Sequence, residues 1–158
     1  MAVDTETFKR ALGSWATGVT IVTSQDGALR HGMTVSAFNE VSLDPPLVLI
    51  CADKTSNTQA LIERTRTFSV SILSQGQDRL SRLFANKEQE ELRFEGLDCE
   101  IGATGCPRIP GALAWLDCSV QQAVEAGDHV VYIGRVEKAE VEDLGPLIHF
   151  RGEYGEIS

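Results

Sequence analysis

The chain is short of the residues that usually announce chemistry. It has three histidines, His31, His129 and His149, far apart and at no metal-ligand spacing. Its four cysteines, Cys51, Cys99, Cys106 and Cys118, include no CxxC pair, which argues against a zinc site or a dithiol motif. They read as small hydrophobes that stay reduced. GxSxG is absent, so nothing supports a Ser–His–Asp triad. GxGxxG is absent too, which excludes a nicotinamide bound in Rossmann style. There is no GxxxxGK[ST] phosphate loop. No apolar run approaches a membrane span. Cations are in deficit, with 14 Lys and Arg against 23 Asp and Glu and a net charge of -9, so no basic face awaits a nucleic acid. A single phosphate needs only a few local cations and stays possible. The opening MAVDTETFKRAL places acids where a secretory signal would be apolar, and the reading is cytoplasmic.

What remains is an ordinary globular composition. Hydrophobic residues make up 42% and charged residues 23% of 158, which suits one domain over residues 1–158 with a sizeable core. Phe8, Ala11, Leu12 and Trp15 form one apolar helical stripe, with Asp4 or Thr5 as its cap. "VTIVTS" reads as a strand, and a DG turn returns it through "MTVSAF". "LVLICA" after Pro45-Pro46 is a buried strand. A helix is predicted from about Thr58 to Arg64, capped by Ser56 or Asn57. "TFSVSIL" follows as a strand with a polar serine face, and then a helix over Gln77 to Ala85. Residues 86–112 read as loop. Two long strands turn at Ala126-Gly127-Asp128, with a bulge near Lys138 where Val136 and Val141 change parity. "PLIHFRGEY" gives a last strand. At least six hairpin-joined strands with a few short helices predict a mainly β antiparallel barrel or sandwich.

The stretch "ADKTSNT" holds the strongest site candidate. Lys54 supplies charge, Ser56, Asn57 and Thr58 supply donors, and a helix start supplies free N–H groups and a favourable dipole. Those parts suit a phosphate, and they equally suit an ordinary capped helix. "TVSAF" reads either as satisfied strand hydroxyls or as room for a flat ring. Lys87 in "FANK" is a helix-dipole partner or a second anion contact. His129 follows Gly127-Asp128 in a tight turn, and by itself is a turn histidine.

Seven stretches, in this order and spacing, resemble the short-chain flavin reductase family. They are "FKRALGSWATGVTIVTS", "GMTVSAFNEVSLDPPLVLICADKTSNT", "FSVSIL", "FANK", "GCPRIPGALAWLDC", "GDH" and "PLIHFRGEYG". The resemblance implies an FMN-binding split β-barrel, Greek-key-like, with a few short helices, assembled as a homodimer. It implies reduction of FMN, FAD or riboflavin by NADH or NADPH, with reduced flavin passing to a partner flavin-dependent monooxygenase. The alternative is a split-barrel protein that retains FMN for another redox or sensing role. By position, the resemblance lays Thr34, Val35, Ser36 and Ala37 along the isoalloxazine ring. It places Cys51, Ala52 and Asp53 near the ribityl chain, and Lys54, Ser56, Asn57 and Thr58 at the phosphate. Phe84 and Lys87 become further flavin contacts, and His129 positions the nicotinamide, with Tyr154 nearby. Ala37 stands where the family commonly has a second serine. No acid or base is implied, because the cofactors carry the hydride chemistry.

Overall fold

The fold is that of a computed structural model, which describes residues 2–157. Helix α1, Thr5–Gly13, starts at the expected cap: Asp4 Oδ1 accepts the Thr7 N–H at 2.8 Å. Its apolar stripe, however, does not enter a core. Phe8, Leu12 and Trp15 are 50%, 57% and 74% exposed, and no residue of α1 is buried.

Seven strands form the main sheet. They are β2 (Thr20–Asp26), β3 (Leu29–Val35), β4 (Phe38–Ser42), β5 (Leu47–Asp53), β6 (Thr67–Ile72), β9 (Ala114–Ala126) and β10 (His129–Val141). Their order is β3-β2-β6-β9-β10-β5-β4, and every neighbouring pair is antiparallel. The edge strands β3 and β4 are consecutive in the chain, joined through Ser36 and Ala37, and do not pair with each other. The expected single strand "MTVSAF" is therefore two strands on opposite edges. A three-stranded sheet combines β1 (Thr17–Gly18), β11 (Ile148–Phe150) and β12 (Glu153–Gly155), so the last expected strand is a hairpin. Within the stretch read as loop lie a 3-10 helix, Lys87–Leu92, and the paired β7 (Glu100–Ile101) and β8 (Pro107–Arg108). Helices α2 (Asn57–Thr65) and α3 (Asp78–Ala85) fall where expected. The β9–β10 register slips between Val136 and Lys138, as the change of parity foretold. The main architecture is thus mainly β and antiparallel, with few helices. No helix among the described residues is long and apolar enough to cross a membrane.

Two apolar clusters lie on opposite faces of the sheet. Val22, Val35, Ile50, Phe68, Val70 and Tyr132 share one; Ile21, Leu73, Phe84, Ile109 and Leu147 share the other. Adjacent residues Ile21 and Val22 belong to different clusters, so β2 is buried on both faces. The same holds for β6, where Ser69 and Ser71 are fully buried instead of facing water. Their hydroxyls are used. Ser71 Oγ accepts the Ile109 N–H at 3.0 Å, and Ser69 Oγ donates to Asp117 Oδ1 at 3.1 Å.

Asp117 is the polar centre of this packing. It is wholly buried and receives Arg108 through both Nε and Nη2, plus the Ala103 N–H at 2.9 Å. Arg108 also reaches Glu140 through Nη1 at 2.6 Å. Burial pushes the Asp117 carboxyl up, but the bonds from Arg108, Ala103 and Ser69 outweigh it and hold the group below its ordinary value. The carboxylate therefore contributes stability that is complete above the unfolded pKa of about 3.9 and is lost as pH falls through the lower folded pKa. Asp117→Ala should cost about 3–5 kcal/mol in chemical denaturation at neutral pH, because it strands a buried guanidinium. The difference from wild type should shrink as the pH is lowered through that window. A loss under about 1 kcal/mol would show that the pair is not a structural centre.

Candidate functional site

The site residues converge because β5 and β10 pair in one register. His129 lies opposite Asp53, Val130 opposite Ala52 and Val131 opposite Cys51. The Lys54 N–H donates to Asp128 O at 3.1 Å and ties the Gly127-Asp128 turn to the end of β5. Gly127 takes φ 61°, a left-handed value that a side chain would strain. His129 Nδ1 lies 2.7 Å from Asp128 Oδ1, and that contact holds the Asp128 carboxyl below its ordinary value.

Beyond Asp53 the chain turns into α2, and its amides divide into used and unused. Thr55 N–H and Oγ1 both donate to Asp53 Oδ1, at 2.8 and 2.7 Å. Ser56 N–H donates to Asp53 O, and Ser56 Oγ, the helix cap, accepts the Gln59 N–H at 3.1 Å. The amides of Asn57 and Thr58 have no partner among the described residues. Thr58 is 1% exposed, and its hydroxyl is buried without a hydrogen-bond partner. The Asp53 carboxyl is lowered chiefly by the Thr55 bonds and to a lesser degree by Lys87 and His129 nearby. Lys87 belongs to no ion pair among the described residues, whereas Lys54 lies 3.5 Å from Glu125. An anion lodged at the start of α2 would meet two free amides, the helix dipole and a free ammonium. Beside it opens a cleft of about 570 Å³, lined by Arg30, His31, Asn57, Lys87, Glu90 and Phe94 among others.

The gap between the sheet edges is the second part. Ser36 and Ala37 line a hollow of about 510 Å³ with Trp15, Asn39, Leu49 and His149. Cys51 N–H donates to Ala37 O at 3.0 Å, which closes the link onto β5. The Ser36 and Ala37 amides have no partner among the described residues, so they can donate to ring oxygens or nitrogens. Cys51 is half-buried on the face of β5 that looks away from the core, and burial pushes its thiol up.

Several of the expected contact residues are engaged within the protein. Val35 and Ala52 belong to the first core cluster, so only their backbones can face a ligand. Phe84 is 1% exposed and packs edge-on against Phe94 with ring centres 5.3 Å apart. Its side chain fills the second cluster. Thr34 Oγ1 is spent on Ser81 O at 2.6 Å. Tyr154 bonds Ser81 Oγ at 2.7 Å, packs against His149 with ring centres 5.3 Å apart, and carries the Arg82 guanidinium 4.8 Å over its ring. Through His149 it joins the Ser36–Ala37 hollow.

The structure also adds residues. Glu90 accepts Asn57 Nδ2 at 2.9 Å and lies 3.5 Å from His31 Nδ1. Trp15 lines the Ser36–Ala37 hollow, and Arg93 donates to Gly32 O and Asn86 O. In sequence, "KEQEELR" is only a charge run that suits a solvated face, and no spacing separates Glu90 from its neighbours.

The fold and this corner together define a class: an antiparallel β protein with an anion seat at a helix start, a histidine turn register-locked beside it, and free amides across a gap in its sheet. The chain belongs to the flavin reductase like domain family, whose profile matches residues 12–158. It is 40% identical over 152 residues to a probable flavin reductase from Rhizobium meliloti (strain 1021), covering 96% of this chain and 48% of that one. It is 38% identical over 154 residues to the flavin-dependent monooxygenase reductase subunit HsaB from Rhodococcus jostii (strain RHA1), covering 97% of this chain and 78% of the subunit. The fold is similar to that of the Streptomyces globisporus C-1027 NADH:FAD oxidoreductase SgcE6 in complex with NAD and FAD fragments. The TM-score is 0.91 at 33% identity, over 100% of this chain and 97% of that one.

Thr58→Val tests the unpartnered hydroxyl. Without ligand, the variant should match or exceed wild-type stability, by up to about 1 kcal/mol in urea, because a buried hydroxyl without a partner is a cost. A loss larger than that would mean the hydroxyl has a partner within the protein.

Proposed function

We propose that this chain, one flavin reductase-like domain, is an NAD(P)H:flavin oxidoreductase that reduces FMN, FAD or riboflavin and supplies reduced flavin to a partner monooxygenase. The observation that carries the proposal is the pairing of His129 with Asp53, which sets the histidine turn beside the anion seat. The named functions of the relatives support the same reading. Flavin and nicotinamide supply the hydride chemistry when bound; the protein's task is to hold them at reacting distance. The α2 amides of Asn57 and Thr58, with Lys87, would take the flavin phosphate. The free amides of Ser36 and Ala37 would meet the ring's acceptors, with Cys51 beneath the side chain that links ring to phosphate. His129 would position the nicotinamide. An acid or base has no part in that transfer, in keeping with a site whose charged groups flank it.

The finer architecture follows the same reading. The seven-stranded sheet, with its chain-linked but unpaired edges, is taken as a split barrel. The exposed stripe of Phe8, Leu12 and Trp15 is taken as part of a homodimer surface, where apolar side chains of this size find cover. A cytoplasmic setting suits four free cysteines.

Purified protein mixed with NADH and each of FMN, FAD and riboflavin should consume NADH, followed at its absorbance band. No consumption with any flavin sinks the proposal. Flavin should separate from the protein on gel filtration; a protein that stays yellow indicates retained FMN. His129→Ala should raise KM for NADH by about tenfold, the size of one lost charge-assisted contact, and leave flavin Kd within about twofold. Equal losses of both would remove His129 from the nicotinamide side.

A further inference from the structure

Arg93 is a buried cation without an ion pair. It is 6% exposed, and no carboxylate lies within pairing distance among the described residues. A guanidinium taken out of water is costly unless its donors are satisfied. Here two of them are, by backbone. Nη1 donates to Gly32 O at 2.8 Å and Nη2 donates to Asn86 O at 3.0 Å, while Nε is buried with no partner.

Those two carbonyls belong to different walls of the anion seat. Gly32 lies in β3, next to His31. A Cβ at Gly32 would come within 2.9 Å of the Phe84 ring and 3.1 Å of the Phe94 ring, so β3 and the end of α3 meet here at closest approach. Asn86 ends α3 and starts the 3-10 helix. Its N–H returns to Arg82 O, and its Oδ1 accepts the Glu88 N–H at 3.0 Å. Lys87 is the next residue. The direction in which Lys87 leaves the chain is therefore set at Asn86, and Asn86 is tied to β3 by one planar fork.

We propose that Arg93 is a positioning residue for flavin recognition, clamping the Asn86–Lys87 corner to β3 so that the Lys87 ammonium faces the phosphate at the start of α2. This rests on the reading of Lys87 and α2 as the phosphate seat. A fork is required because one rigid group must donate to two carbonyls at once; a lysine has a single ammonium on a flexible stem and cannot hold both in one geometry. The distance from Arg93 to the phosphate is bridged by backbone, so the residue need not touch flavin.

The test compares FMN with riboflavin, which has the same ring and no phosphate. Kd for each is measured by quenching of flavin fluorescence in wild type, Lys87→Met, Arg93→Lys and the double variant, with no nicotinamide present. Arg93→Lys keeps the charge and guards against a variant that does not fold. It should weaken FMN by about tenfold, the size of one charge-assisted hydrogen bond, and leave riboflavin within about twofold. The double variant should be no weaker for FMN than Lys87→Met, because both changes remove the same contact. A purely structural arginine would weaken both flavins alike or neither, and either outcome overturns the inference. So does additivity in the double variant. If Lys87→Met leaves FMN unchanged, the phosphate seat itself is misassigned. If Lys87→Met weakens FMN and Arg93→Lys does not, the seat stands and the positioning role falls.

Discussion

Ser36 and Ala37 carry the chain from one edge of the seven-stranded sheet to the other. Three peptide links from Val35 to Phe38 reach at most about 11 Å, so the end of β3 and the start of β4 lie close together although their strands stand at opposite ends of the pairing order. The sheet has to curl around its first apolar cluster to satisfy that constraint. The edges nonetheless do not pair, which leaves the link's own amides unclaimed. The hollow, the free donors and the enclosed core are thus consequences of a single short connection.

The anion seat depends on a different economy of hydrogen bonds. Asp53 and Ser56 satisfy the backbone that turns into α2, and their side chains are largely spent in doing so. What they leave over is the pair of amides further on. Side chains that look like ligands in the sequence build the cradle, and the backbone amides of the helix start are the ones left without a partner among the described residues.

That division explains how far the sequence could be read. The α1 cap at Asp4, the α2 cap at Ser56 and the slip at Val136 depend on neighbours within one turn or one strand pair, and local chemistry fixes them. The strand Phe38–Ser42 was missed because Asn39 and Glu40 are exposed on an edge and carry little β preference. Alternation makes Ser69 and Ser71 a polar face because it cannot report a second cover; the segment holding Ile109 supplies it from far along the chain. Phe84, a flavin contact by family likeness, packs its ring against Gly32 and Phe94, a burial that the FANK motif does not reveal. Lys54 and the His129 turn lie side by side because β5 and β10 share one register, which spacing alone does not reveal.

Cys51 carries a last consequence. Its thiol sits half-buried beside the Ser36–Ala37 hollow, and desolvation raises its ionisation above the ordinary range, so at neutral pH it keeps its proton. A protonated thiol is a poor nucleophile toward peroxides and disulfides. Under the proposed function, a site working with reduced flavin in air would have beside it a sulfur that oxidants attack only slowly.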